Sequence, residues 1–193
     1  MVNTLSQPLT LVEFLTLPET KPASEYIDGQ VIQKPMPQGK HSAIQGELVP
    51  AINQAVKPEA RAFPELRCTY PSGSRSSVYG GRSLVPDVAV FIGQRIPREE
   101  NGDIANTFSI PPDWTIEILS PDQSQTKVTK NIIHCLTHGT LMGWLIDPHE
   151  QTVFVYSSKA EITVFDQTEN ILPVPDFAKN LSLTIKDLFA WLK

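Results

Sequence analysis

Apolar and polar positions alternate most informatively between Trp114 and Asp147, WTIEILSPDQSQTKVTKNIIHCLTHGTLMGWLID. WTIEIL is a β-branched, apolar run that predicts a buried strand. The segment after it has a helical period: Asp122 is placed to cap a helix with Gln125 three residues on, and Gly139 is placed to end it. TLMGWLI then resumes as a strand of large apolar residues. A strand, helix and strand of this length predict a parallel pair joined by a right-handed crossover. One residue breaks the pattern. Glu117 sits in the middle of the first strand, where an unpaired charge costs several kcal/mol, so the fold must give it a partner.

Elsewhere the pattern supplies the remaining elements. Residues 1–9 read as a frayed end. Thr10-x-x-Glu13 is a capping box that opens a short helix closed before Pro18. Asp28-Gly29, between Tyr26-Ile27 and Gln30-Val31-Ile32, predicts a hairpin with a type I′ turn. Ile44, Leu48, Ile52 and Ala55 or Val56 recur at helical spacing from His41 to Val56, and Pro50 inside that run predicts a kink or a break. Arg61 to Tyr70 reads as one strand. PSGSRSSVYGGRS, residues 71–83, reads as a long Gly- and Ser-rich connection, and VPDVAVFI, residues 85–92, as a buried strand. TVFVYS and EITVF predict an antiparallel pair. Thr184-x-x-Asp187 opens a closing helix with Ile185, Leu188, Phe189 and Leu192 on its apolar stripe. The class these elements define is α+β, a mixed β-sheet flanked by helices.

Composition narrows the picture. A chain of 193 residues with 40% hydrophobic and 19% charged residues has the balance of a globular protein, and residues 1–193 are expected to form a single domain. A net charge of −5 excludes a uniformly basic nucleic-acid binder but not a local basic cleft. Cys68 and Cys135 lie in apolar surroundings and read as buried free thiols of a reducing compartment. With no secretory pattern and no apolar stretch of bilayer length, the expectation is a cytoplasmic protein with no membrane partner.

Chemistry concentrates around two carboxylates. Alternation puts Val85, Asp87, Ala89 and Phe91 on one face of their strand, and Thr115, Glu117 and Leu119 on one face of theirs. If those strands are neighbours, Asp87 and Glu117 share a cleft, and a hard divalent cation relieves their repulsion. Without a cation the pair should strain the fold. The plainer alternative is that Asp87 completes a turn and Glu117 pairs with an arginine. On the following helix Lys127, Asn131, His134 and His138 fall on one narrow stripe at 100° per residue, with Lys130 about 60° away. Lys127, in the first turn, can reach the carboxylates; the alternative is a solvated helix face. Two carboxylates and a lysine suit metal-assisted phosphodiester hydrolysis. Arg75 and Arg82, in the loop ahead of Asp87, are candidates for phosphate contact or ordinary loop arginines. His134-x-x-x-His138 has metal-ligand spacing but no third ligand of the zinc type nearby. A glycosidase would also use paired carboxylates, but the aromatic spacing provides no sugar platform.

These residues carry a family resemblance. The Pro-Asp of VPDVAVF, the glutamate of TIEILSP and the lysine-bearing helix that ends in HGTLMGWLIDP resemble the Uma-type restriction endonucleases. These form a branch of the PD-(D/E)XK nuclease superfamily that is expanded in cyanobacteria. The resemblance runs from YIDGQVI to the terminal helix. It implies a restriction-endonuclease-like core and a DNA endonuclease that uses magnesium, or manganese. Asp87 and Glu117 would be its metal ligands and Lys127 its catalytic cation. Oligomeric state is open, although cutting both strands of a duplex would favour a two-fold homodimer. Glu25 and His41 match a glutamate and a histidine of the family and are accessory candidates with Lys130 and Asn131. The chain departs from the pattern twice. Leu119 stands two residues after Glu117, where the superfamily has its usual lysine, and Asn131 stands at the commonest helical position for it. The alternative reading is therefore a nuclease fold, weakly active or inactive, that binds nucleic acid or a protein partner.

Overall fold

The computed structural model describes residues 8–70, 78–121, 123–159 and 161–193. Residues 1–7 of the frayed end expected at 1–9, most of the 71–83 connection, including Arg75, and the proposed helix cap Asp122 lie outside them. Helix α1 (Leu11–Leu15) is closed at its start by the capping box: Glu13 N–H donates to the Thr10 hydroxyl, and the Glu13 carboxylate accepts from Thr10 N–H. Strands β1 (Ser24–Ile27) and β2 (Gln30–Gln33) form the hairpin. Asp28 and Gly29 at its turn have φ of 46° and 95°, the pair of positive values that a type I′ turn requires.

Helix α2 (Gly39–Val56) buries Ile44, Leu48, Ile52 and Val56. It continues through Pro50 without the predicted break. Pro50 and Gly46, whose carbonyl loses its partner, are both exposed, so water can serve the orphaned oxygen. The single strand expected at 61–70 is two strands, β3 (Ala60–Pro64) and β4 (Cys68–Tyr70). Pro64 and Glu65, at φ 47°, turn the chain between them, and β3 and β4 join different sheets.

The remaining elements are β5 (Arg82–Leu84), β6 (Val88–Ile92), β7 (Trp114–Ile118), α3 (Gln125–Thr137), β8 (Met142–Asp147), β9 (Thr152–Ser157), β10 (Ile162–Phe165) and α4 (Ile185–Ala190). The larger sheet has six strands in the order β10-β9-β8-β7-β6-β3, and the smaller has four in the order β2-β1-β5-β4. In the larger sheet β7 and β8 run parallel across the α3 crossover, as expected, and every other pair is antiparallel. Gly139, at φ 106°, ends α3, and Ser124 precedes it. The protein is thus α+β with a mixed sheet flanked by helices, and the smaller antiparallel sheet is an addition to that expectation.

Alternation along the larger sheet divides its core. Val88, Val90, Ile116, Trp144 and Ile146 face α2 and α4. On the other face, Leu145 and Tyr156 pack against Val128 and Ile132 of α3, while Ala89 and Phe91 meet Leu84 and Tyr70 of the smaller sheet. Gly143 lets α3 approach closely, since a Cβ there would overlap Ile132. Glu117, between Ile116 and Ile118, is turned to this second face.

Candidate active site

Asp87 lies where the chain leaves β5 and enters β6. The register that pairs Val88 with Ile116 brings Asp87 level with Glu117 one step further on. Both are buried, at 2% and 4% exposure. Asp87 is held from several directions. Its Oδ2 accepts from Ile118 N–H at 2.7 Å and lies 3.1 Å from His41 Nε2 on the first turn of α2. Its carbonyl accepts from Gln45 Nε2 at 2.8 Å and from Glu65 N–H at 3.2 Å.

The cation beside this pair is Lys34, immediately after β2. Its ammonium donates to Asp87 Oδ1 at 2.7 Å, to the Val85 carbonyl at 2.7 Å and to Glu117 Oε2 at 3.4 Å. Glu25 on β1 approaches the same segment, its Oε1 accepting from Val85 N–H at 2.9 Å and its Oε2 from Asn131 Nδ2 at 3.3 Å. Three buried carboxylates therefore surround one ammonium, and their ionisation separates accordingly. Burial pushes the Asp87 carboxyl up, but the charge of Lys34 and the hydrogen bond from His41 overcome it and hold Asp87 well below the usual range. At Glu117 burial prevails over the attraction of Lys34, with Asp87 and Glu25 adding repulsion, so its carboxyl is raised well above the usual range. Glu25 is raised for the same first reason.

Three cavities meet here. One of about 520 Å³ is lined by Lys34, His41, Arg67, Asp87 and Gln123. A second, of about 420 Å³, runs along Glu25, Lys34, Arg82, Lys127, Lys130 and Asn131. A third, of about 790 Å³, lies beyond His41 between Lys40, Asp147 and His149. Lys127 and Lys130 are exposed at the mouth of the second, and among the described residues neither makes an ion pair with Asp87 or Glu117. Arg82 lies at the same mouth, 3.4 Å from Asp28 Oδ2.

The helical stripe is divided by the structure. Asn131 is buried and joins Glu25, Lys127 reaches only the cavity mouth, and the two histidines belong elsewhere. His134 and His138 stack on each other with centroids 4.0 Å apart, and both set their rings edge-on to Tyr70. Burial, followed by the charges of Arg82 and His138, pushes the His134 imidazole down to about 3. The unfolded chain protonates this group near 6.5 and the folded chain does not, so its contribution to stability is present above that value and lost as pH falls toward 3. Replacing His134 by Phe should therefore reduce the fall in melting temperature between pH 7 and pH 5. An unchanged slope would show that His134 does not set it.

Lys34 is the residue that helix-centred reasoning passes over, and its signal lies in the hairpin. The Asp28-Gly29 turn fixes a register that pairs Glu25 with Ile32. Lys34, two residues on, therefore shares the face of Glu25.

Fit to a divalent ion follows from the donor set. Among the described residues no three His, Cys, Asp or Glu side chains are grouped to hold a metal ion. Magnesium, however, is commonly bound through one or two carboxylates and water. Asp87 and Glu117 provide that number of hard donors, and the Lys34 ammonium already stands between their oxygens as a cation.

The mixed sheet thus brings two adjacent carboxylates and a lysine together at one strand end. The pattern that defines the Uma2 family, described as "Putative restriction endonuclease", matches residues 11–186, and the chain belongs to that family. A solved structure from Anabaena variabilis ATCC 29413, described as a putative nuclease belonging to DUF820, is 68% identical. The match covers 96% of this chain and 100% of that one, with a TM-score of 0.90. Among curated proteins nothing matches. No helix among the described residues is long and apolar enough to cross a membrane. Cys68 and Cys135 are free and buried.

Proposed function

We propose that this chain is a magnesium-dependent endonuclease, able to use manganese, that hydrolyses phosphodiester bonds of DNA in the cytoplasm with residues 1–193 as one domain. The observation that carries this reading is the juxtaposition of Asp87 and Glu117 beside Lys34, in a chain whose family bears a nuclease description. Asp87 and Glu117 would hold the ion, which when bound polarises the phosphate and lowers the pKa of a bound water. His41 and the Ile118 N–H keep Asp87 oriented. Lys34, rather than Lys127, is the cation nearest the reacting group and offsets negative charge as it develops. Lys127, Lys130 and Arg82 form a basic mouth suited to the sugar–phosphate backbone. Glu25 and Asn131 fix the Val85 segment from behind. Cutting both strands of a duplex would favour a two-fold dimer.

The test is cleavage of plasmid and single-stranded DNA with Mg²⁺ or Mn²⁺. Activity should vanish in EDTA and fall at least about a hundredfold in Asp87→Asn. Full activity in either condition would overturn the assignment. Binding of DNA without cleavage under every metal condition would instead support a non-hydrolysing nucleic-acid binder.

A further inference from the structure

Lys34 occupies the point that a divalent ion would require. Its ammonium is shared between Asp87 Oδ1 at 2.7 Å and Glu117 Oε2 at 3.4 Å. Magnesium demands such oxygens at about 2.1 Å. Two cations at one point repel strongly even when well screened, so ammonium and metal are alternatives.

We propose that Lys34 is a built-in placeholder. It neutralises Asp87 and Glu117 in the metal-free protein, competes with a divalent cation for their oxygens, and yields to it by swinging toward the substrate side. The inference rests on Asp87 and Glu117 being the metal ligands.

Four features support it. Lys34 lines both the 520 Å³ and the 420 Å³ cavities, so its flexible four-carbon stem has open space on two sides. Its backbone N–H stays bound to the Ala23 carbonyl at 2.8 Å, so the side chain can move without the strand. A third carboxylate, Glu25, lines the 420 Å³ cavity and already feels the lysine's charge. Asp87, meanwhile, keeps its bond from Ile118 N–H and its contact with His41 when the ammonium leaves. The orientation of Asp87 therefore does not depend on the lysine alone, whereas the Glu117 carboxylate has Lys34 as its side-chain partner.

Calorimetric titration of Mn²⁺ into the wild type, Lys34→Met, Lys34→Gln, Lys34→Arg and Asp87→Asn tests the proposal. Lys34→Met and Lys34→Gln should bind Mn²⁺ roughly tenfold or more tighter than wild type, and their melting temperatures should rise further on adding the ion. Lys34→Arg should bind no tighter than wild type, and Asp87→Asn should not bind. The Lys34→Met chain, despite its tighter metal, should cleave DNA at least about tenfold more slowly. Equal or weaker affinity in both neutral variants, with the wild type binding and Asp87→Asn not binding, would overturn the placeholder alone. Failure of every chain to bind Mn²⁺ would overturn the metal reading itself and the placeholder with it.

Discussion

Asp87→Ala is expected to destabilise the metal-free protein by about 3–5 kcal/mol, the range for breaking a buried ion pair from one side. The substitution removes the acceptor of the Ile118 N–H and the closest counter-charge of Lys34. It leaves a buried ammonium with the Val85 carbonyl and a more distant Glu117. Glu117→Gln should behave oppositely, staying within about 1 kcal/mol of wild type or gaining stability, because a neutral isostere removes a charge that burial disfavours. The pH dependence separates the two residues. Asp87, with its carboxyl held low, contributes stability above the ordinary carboxylate range and loses it as pH falls through its folded value. Glu117, with its carboxyl raised, favours the fold at low pH and loses that contribution as pH rises through its folded value. Urea unfolding in EDTA at pH 7 measures both substitutions. Equal losses in the two variants would show that the carboxylates are not differentiated in this way. A gain confined to Glu117→Gln would place the strain expected of the pair at Glu117, where burial outweighs the attraction of Lys34.

Trp144→Ala should cost about 3–5 kcal/mol, the range for truncating a buried tryptophan. Trp144 is fully buried on β8, meets Trp114 edge-to-face with centroids 4.7 Å apart, and donates from Nε1 to the Pro173 carbonyl at 3.0 Å. Truncation would open a cavity at the centre of the larger sheet and leave that carbonyl without its donor. For a domain of this size the melting temperature should drop by roughly 10 °C. Trp144→Phe, which keeps an aromatic ring, should lose less. A drop no greater for Ala than for Phe would place the dominant effect in the lost hydrogen bond rather than in the cavity. Because Trp144 faces α2 while Glu117 faces α3 and the smaller sheet, any chain that folds should retain the metal affinity of the wild type.

Much of the fold was legible because local chemistry and tertiary packing agree. Two capping boxes, the Asp28-Gly29 turn and the strand–helix–strand around α3 each follow from short-range rules that burial then reinforces. Where they diverge, tertiary context decides. Pro50 is accommodated because its side of α2 faces water. The run from Arg61 to Tyr70 reads as one strand despite Pro64, and the break falls there because Glu65, the residue after it, adopts a positive φ that its identity does not announce. Alternation set the faces of Asp87 and Glu117 through the phase of their strands, and the pairing of β6 with β7, which alternation leaves open, made the two residues neighbours. The lysine did not follow from alternation. A helix stripe at 100° per residue ranks Lys127 by angle alone, whereas proximity depends on how the hairpin docks on the larger sheet. The hairpin register held the relevant clue in the shared face of Glu25 and Lys34, but only the docked sheets turn that clue into a contact with Asp87.

The site is consequently a seam. Glu25 belongs to the smaller sheet and Lys34 directly follows its strand β2, Glu117 belongs to the larger sheet, and Asp87 to the short link through which the chain passes from one to the other. A slip of the β1–β2 hairpin by one residue would leave the hydrophobic core of the larger sheet intact. It would also reverse the faces of its side chains, withdrawing the ammonium and leaving Asp87 and Glu117 without their shared counter-charge. The balance of charge at the site is therefore set by how the smaller sheet seats on the larger. Only a chain that has closed both layers in register brings the Lys34 ammonium to Asp87 and Glu117.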